Sequence, residues 1–186
     1  MKNSVAESLK KGGIAVIPTD TIYGIVGSAL NPQTVEKIYT LRKRALDKPM
    51  IILISSIDDL KKFEIKLTSK QKEFLEQNWP NPLSVILPVK KEKFKYLHRG
   101  KNSLAFRMPK NDKLLNILKQ IGPLVAPSAN FEGEKPAETI EEAKKYFGDK
   151  VDLYLDGGQF VTIPSTIVEV IEDGKVKVLR QGSFRI

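Results

Sequence analysis

Apolar residues in this chain fall into short, strand-sized runs that alternate with longer stretches of helical period. The run Ile14 to Pro18 reads as a buried strand leading straight into a polar loop. Met50 to Ser55, Ser84 to Pro88, Leu104 to Met108 and Pro123 to Pro127 read the same way. Leu153 to Leu155, Ser165 to Ile171 and Lys175 to Arg180 complete the strands, and Glu172-Asp173-Gly174 supplies a hairpin turn between the last two. Helices are expected over Ser4 to Lys11, with Ser4 and Glu7 as a capping pair and Gly12-Gly13 as the stop. A second helix opens at Asn31-Pro32, with Val35, Ile38, Tyr39 and Leu41 as its apolar stripe. Short helices follow near Ile57 to Lys61 and Ser69 to Asn78, then Asp112 to Ile121 behind an Asn111 cap. A last helix is opened by Thr139 and Glu142 and ends at Gly148. Intermixed strands and helices with a terminal hairpin predict an α/β (α+β mixed) fold: a twisted mixed sheet flanked by helices, in one domain over residues 1–186.

Composition narrows the chemistry. The chain has 186 residues, 41% of them hydrophobic, enough for one domain with a real core. There are 31 Lys and Arg against 22 Asp and Glu, a formal net charge of +9, which favours anionic partners such as nucleotides or RNA. Solubility or a thermophile's lysine-rich surface would give the same balance. With no cysteine, disulfides, thiolate catalysis and cysteine metal sites are excluded. The one histidine, His98, lies in a charged loop and reads as a surface residue. No apolar run has signal-peptide or membrane-span length, so the expected location is the cytoplasm.

Neither a P-loop nor a Rossmann fingerprint is present. A phosphate site would therefore be built from side chains and loop amides. Pro18 to Gly24, PTDTIYG, places two threonine hydroxyls and a phenol just beyond a strand, and Arg42, Lys43, Arg44 and Lys48 bring four cations into seven residues. Hydroxyls and clustered cations suit a polyanion such as a nucleoside triphosphate, while a solvated helix end is the plainer reading of the cations alone. Arg107 sits in an apolar strand, on the face it shares with Ser103 and Ala105, a pattern suited to the floor of an anion cleft or to a solvent-facing strand. Ser128 and Asn130 follow a strand end, where ligands bind in open sheets or where turns are capped. Ser165 and Thr166 repeat the theme, and Arg180 ends the last strand. The segment Lys90 to Lys101 interleaves Phe94, Tyr96 and His98 with five lysines and Arg99. That is one footprint of single-stranded nucleic acid binding, although a solvated loop is the simpler reading. Asp20, Asp47 and Asp156 could handle Mg²⁺ or protons, and no spacing singles out a carboxylate pair.

Taken in order, PTDTIYG, KRALDKP, SLAFRMP, PSAN, PSTIVEV and VLRQG resemble the YrdC family of threonylcarbamoyl-AMP synthases along nearly the whole chain. The resemblance is to the short, single-domain form, without the extra C-terminal domain of longer relatives. It implies a YrdC-like fold with a concave basic cleft. It further implies synthesis of L-threonylcarbamoyladenylate and pyrophosphate from L-threonine, bicarbonate and ATP, for N6-threonylcarbamoyladenosine at tRNA position 37. A separate tRNA threonylcarbamoyl transferase would be the partner, and Mg²⁺ would arrive with ATP. By motif, Thr21, Arg107, Thr166 and Ser165 are expected at the threonine end. Arg42, Lys43, Arg44, Lys48, Ser103, Ser128, Asn130 and Arg180 are expected around ATP, with Arg44, Lys48 and Arg107 carrying the catalytic charge. Two positions depart from the family pattern: Arg42 replaces a lysine, and Glu132-Gly133 replaces Ser-Gly. An RNA-binding module without catalysis, or a paralogue acting on another carbamoyl compound, are the competing readings.

Overall fold

The computed structural model describes residues 5–186. Nine strands form one continuous mixed sheet: β1 (Ala15–Pro18), β2 (Tyr23–Ser28), β3 (Ile52–Leu53), β4 (Leu83–Pro88), β5 (Ser103–Arg107), β6 (Leu124–Val125), β7 (Leu153–Tyr154), β8 (Thr166–Val170) and β9 (Val176–Arg180). Their spatial order is β7-β1-β2-β6-β3-β5-β4-β8-β9. Parallel pairs (β7–β1, β3–β5, β4–β8) are interspersed with antiparallel ones, as expected for a mixed sheet. The helices are α1 (Val5–Lys10), α2 (Pro32–Leu41), α3 (Ser69–Asn78), α4 (Lys95–His98), α5 (Asp112–Ile121) and α6 (Ile140–Phe147), with a 3₁₀ segment at Ile57–Phe63.

Capping chemistry sets several helix starts. Asn31 Oδ1 accepts from the Thr34 amide at 3.2 Å, Thr68 Oγ1 from Gln71 at 3.2 Å and Asn111 Oδ1 from Leu114 at 3.0 Å. The Thr139 hydroxyl caps α6, but the Glu142 carboxylate takes the Glu138 amide at 2.8 Å rather than that of Thr139, so the reciprocal box is displaced by one residue. The Ser4–Glu7 capping pair falls partly outside the described residues.

Strand β2 has no counterpart in the sequence-based assignment, which stopped at the polar loop. Its six residues include two glycines, which weaken any strand pattern. A β-carbon on Gly27 would stand 2.4 Å from Thr34 Cγ2, so glycine there lets α2 lie close on the strand.

The core lies on both faces of the β1–β2 end of the sheet. Ile14 and Val16 point into one cluster with Val35, Ile38 and Phe106, while Ala15 and Ile17 point into a second with Leu9, Leu114 and Leu118 of α1 and α5. Further along, Val85, Leu87, Phe106 and Val168 still face the first cluster. Their alternating neighbours Ile86, Ala105 and Ile167 instead line an open cleft. One-sided covering of β4, β5 and β8 thus creates the concave surface. A β-bulge between Ile167 and Val168 shifts the β8–β9 register, so that Arg180 stands opposite Ile167. In an unbroken ladder Arg180 would stand opposite Thr166, whose side chain belongs to the other face.

The segment 90–101 differs from its sequence reading. Residues 95–98 form a helical turn that carries Phe94, Leu97 and His98 into the interior. His98 is 2% exposed and its Nδ1 accepts from the Gly100 amide at 3.2 Å, so it is a core residue, not a surface one. Tyr96 donates its hydroxyl to the Ala29 carbonyl at 2.9 Å. Lys91 and Lys93 pair with Glu64, Lys95 with Glu92, Arg99 with Glu36 and Lys101 with Asp47. Phe94 and His98 therefore face inward, and Tyr96 is half-buried with its hydroxyl tied to Ala29.

Candidate active site

Two cavities adjoin in the cleft. The inner one, about 90 Å³, is lined by Thr19, Thr21, Arg107, Ser165 and Arg180. The outer one, about 340 Å³, is lined by Arg42, Arg44, Lys101, Ser103, Ser128 and Arg180. Ile51, Pro127, Ser128 and Arg180 belong to both walls, and Arg180 is the one charged residue they share.

The polar loop after β1 owes its shape to Thr19. Its hydroxyl donates to the Ile22 carbonyl at 2.7 Å and accepts from the amides of Thr21 and Ile22 at 3.2 and 3.3 Å. This turn holds the Thr21 hydroxyl 3.2 Å from that of Thr19, in the inner wall. The Tyr23 phenol is directed elsewhere. It donates to the Gly158 carbonyl at 2.7 Å and accepts from the Gly157 amide at 2.9 Å, which ties down the loop after β7.

Arg107 is 4% exposed, and its guanidinium lies 3.2 Å from the Asp20 carboxylate. Burial pushes its pKa down, with Asp20 working in the opposite direction, and Nε has no hydrogen-bond partner. Arg180 donates to the Ser165 carbonyl at 3.2 and 2.7 Å. Burial and the nearby Arg107 charge both lower its pKa. Two arginines and one aspartate leave this chamber an excess of one positive charge, matched to a carboxylate or a single phosphate group. Ser165 Oγ lies 2.9 Å from Ser84 Oγ and stays in the inner wall. Thr166 does not. Its hydroxyl donates to the Phe184 carbonyl and accepts from the Gly182 amide, so it fastens the C-terminal segment instead of facing a ligand.

The cation cluster divides by direction. Arg42 caps α2 and reaches inward. Nε donates to the Asn130 carbonyl at 3.1 Å, and Nη2 to Asn130 Oδ1 and Ser128 Oγ, each at 3.2 Å. Burial, aided by Arg44, pushes its pKa down to about 10, and Nη1 lacks a protein partner. Asn130 in turn donates to the carbonyls of Phe131 and Glu134, which makes it a brace for the 128–134 loop. Lys43 has a left-handed backbone (φ 51°) that turns its ammonium over the Phe131 ring, 4.1 Å from the centroid, away from both cavities. Arg44 lines the outer cavity while donating to the carbonyls of Lys48 and Pro49, each at 2.9 Å. Lys48 is paired with Glu132 at 2.8 Å and lines neither cavity. Ser103 and Ser128 line the outer cavity.

Two lining residues, Thr19 and Lys101, and the acid behind the wall, Asp20, have no assigned role in the sequence reading. Thr19 sits in the same motif as Thr21. Lys101 belongs by sequence to the basic segment, yet it stands two residues before β5 and lines the outer cavity. Asp20 was legible as an acid, but not as the partner of Arg107. Asp47 pairs with Lys101 at 3.5 Å, and Asp156 accepts from Tyr23 at 3.3 Å and from the Gly158 amide at 2.9 Å. Among the described residues, no group of three or more His, Asp or Glu is placed to hold a metal ion, and no helix is long and apolar enough to cross a membrane.

Comparison with known proteins gives this geometry a context. The threonylcarbamoyl-AMP synthase of Pyrococcus abyssi is 28% identical over 178 residues, covering 95% of this chain and 52% of that protein. A putative threonylcarbamoyl-AMP synthase of Methanocaldococcus jannaschii is 32% identical over 190 aligned positions, covering 100% of this chain and 89% of the relative. The chain thus spans about half the length of the Pyrococcus relative and most of the Methanocaldococcus one. The crystal structure of P. abyssi Sua5 complexed with L-threonine superimposes with a TM-score of 0.86 at 28% identity, covering 95% of this chain and 52% of that one. Escherichia coli YciO shares the fold, with a TM-score of 0.82 at 22% identity over 96% of this chain and 87% of that one. The family profile described as "Telomere recombination" and designated Sua5/YciO/YrdC matches residues 7–182, and with the Methanocaldococcus relative it establishes that the chain belongs to the Sua5/YciO/YrdC family.

Proposed function

We propose that this chain is an L-threonylcarbamoyladenylate synthase that joins L-threonine, bicarbonate and ATP and releases pyrophosphate. The observation that carries the reading is the pair of adjoining cavities with Arg180 in both walls. The inner chamber offers hydroxyls and a net positive charge for an amino acid. The outer one offers guanidiniums and serines for a nucleotide. The P. abyssi relative bears this activity in its name, and its Sua5 has been solved with L-threonine.

In this reading Arg107, held by Asp20, takes the threonine carboxylate, with Thr21 and Ser165 beside it. Arg44, Ser103 and Ser128 take the triphosphate, Arg42 braces the loop behind Ser128, and Lys101 lies at the outer rim. Bicarbonate and the threonine amine condense to a carbamate with loss of water. A carbamate oxygen then attacks the α-phosphorus in line, forming the P–O bond as the bond to pyrophosphate breaks. No side-chain nucleophile is needed. Arg180, shared by both chambers, offsets charge where the two substrates meet, so the catalysis rests on alignment and electrostatics. Mg²⁺ would come bound to the triphosphate.

The product is a mixed anhydride. Its consumer would be a separate cytoplasmic transferase that moves the threonylcarbamoyl group to adenosine 37 of tRNA. The buried Phe94 and His98 of segment 90–101 give no support to base stacking there. The decisive assay is pyrophosphate release from ATP and bicarbonate with threonine present, absent or replaced by serine. Release that depends on threonine is expected, with serine weaker by about 1–3 kcal/mol for one methyl group. Absence of release from folded, ATP-bound protein would overturn the proposal.

A further inference from the structure

Glu132 makes the contacts of an anion in a phosphate site. Its Oε2 accepts the Ala45 amide at 2.5 Å and its Oε1 accepts the Lys48 ammonium at 2.8 Å. Its own amide donates to the Arg42 carbonyl at 2.8 Å. A loop amide and a lysine are the donors that phosphate oxygens commonly take. The carboxylate is one-quarter exposed and closes the space between the 42–48 loop and the 128–134 loop. Lys48 and the Ala45 amide hold its pKa below the usual carboxylate range, with Arg44 adding to the effect, so it is charged at neutral pH. Lys48, the flexible cation of the cluster, is consequently held off the outer cavity.

Resting on the nucleotide reading above, we infer that Glu132 is an intramolecular counter-ion that competes with the triphosphate for Lys48 and so sets a weaker ATP affinity. In the empty protein it offsets the clustered charges of Arg42, Arg44 and Lys48. When ATP arrives, Lys48 is free to swing to the phosphates only as its pair with Glu132 breaks. Glu132 acts through Lys48 and is a positioning residue.

The test is the dissociation constant of Mg²⁺-ATP, measured calorimetrically at two salt concentrations for the wild type, Glu132→Gln, Lys48→Gln and the double variant. Glutamine keeps an acceptor for the Ala45 amide and removes the charge. Glu132→Gln is expected to bind ATP roughly threefold tighter, within the range of a partly screened ion pair, with a steeper salt dependence. In the Lys48→Gln background the gain should vanish. A loop merely loosened by the change would bind more weakly and melt earlier, and that result would overturn the inference. Equal affinity, or a gain that persists without Lys48, would overturn it as well. Threonine-dependent pyrophosphate release separates the two readings. A wild type that binds ATP but releases no pyrophosphate refutes the synthase and leaves the counter-ion test in force, whereas failure of every variant to bind ATP overturns both.

Discussion

Replacing Arg42 with leucine separates a structural brace from a phosphate ligand. The guanidinium makes three hydrogen bonds, two to Asn130 and one to Ser128, and is 3% exposed. Leucine would leave the Asn130 carbonyl and side-chain oxygen buried without a donor, at about 1–3 kcal/mol each, while the Ser128 hydroxyl can turn to a new partner. Part of that loss is returned, because Arg42 is a desolvated cation near Arg44 with one unpartnered nitrogen. The net cost is about 2–4 kcal/mol. For a chain of 186 residues this lowers the melting temperature by about 5–15 °C, at about 2–4 °C per kcal/mol. The assay is thermal unfolding without nucleotide, followed by circular dichroism. Arg42→Lys should fall between the two, since an ammonium cannot reach all three acceptors at once. A leucine variant that melts at or above the wild-type temperature would refute the reasoning. It would mean that Arg42 is a strained cation held for its ligand, not a brace.

The division of the basic cluster gives a second expectation. Arg44→Ala should raise the ATP KM by about tenfold or more, while Lys43→Ala, which loses a contact with Phe131, should change it by less than about twofold. Steady-state kinetics with ATP varied would show it, and equal effects would contradict the orientation found for Lys43. A third concerns acid stability. Burial opposes the ionisation of Asp59, but Lys62 at 2.6 Å and bonds from Ser55 outweigh it, and its pKa is lowered. Because the folded pKa lies below the unfolded value near 3.9, the contribution is complete above that value and is lost as pH falls through the folded pKa. Asp59→Asn should therefore cost about 1–3 kcal/mol at pH 7, and the difference from wild type should shrink below about pH 4. A difference in denaturant midpoint that stays constant down to pH 3 would contradict this account.

Most elements were legible in the sequence because local signals agreed: cap residues, strand-length apolar runs and turn glycines. Strand β2 was not, since a strand with two glycines has little pattern and is fixed by neighbours on both sides. Charge clusters were legible as positions but not as directions. Arg42, Lys43, Arg44 and Lys48 read as one phosphate-binding group, yet a left-handed residue at 43 and an acid far along the chain at 132 send them to different places. His98 misled for a related reason, because the charges around it belong to the outer side of a single helical turn. Arg180 was found as a lone cation, but what aims it into the cleft is a bulge, a property of strand pairing that no single segment encodes. Thr166, one residue past Ser165, shows the other side of alternation: the neighbour of a wall residue faces away.

The sheet order has a kinetic consequence. The cleft draws on Thr21 near the first strand and on Arg180 at the end of the ninth, and β9 is attached only at the far edge, through β8. Contacts so distant along the chain close late and slowly in folding. During synthesis, a ribosome would have to release all of the strands up to β9 before the two chambers could meet at Arg180. Chains without a docked β9 would thus be unable to spend ATP prematurely, and any ligand spanning both chambers would stabilise only molecules in which β9 is in place, by mass action.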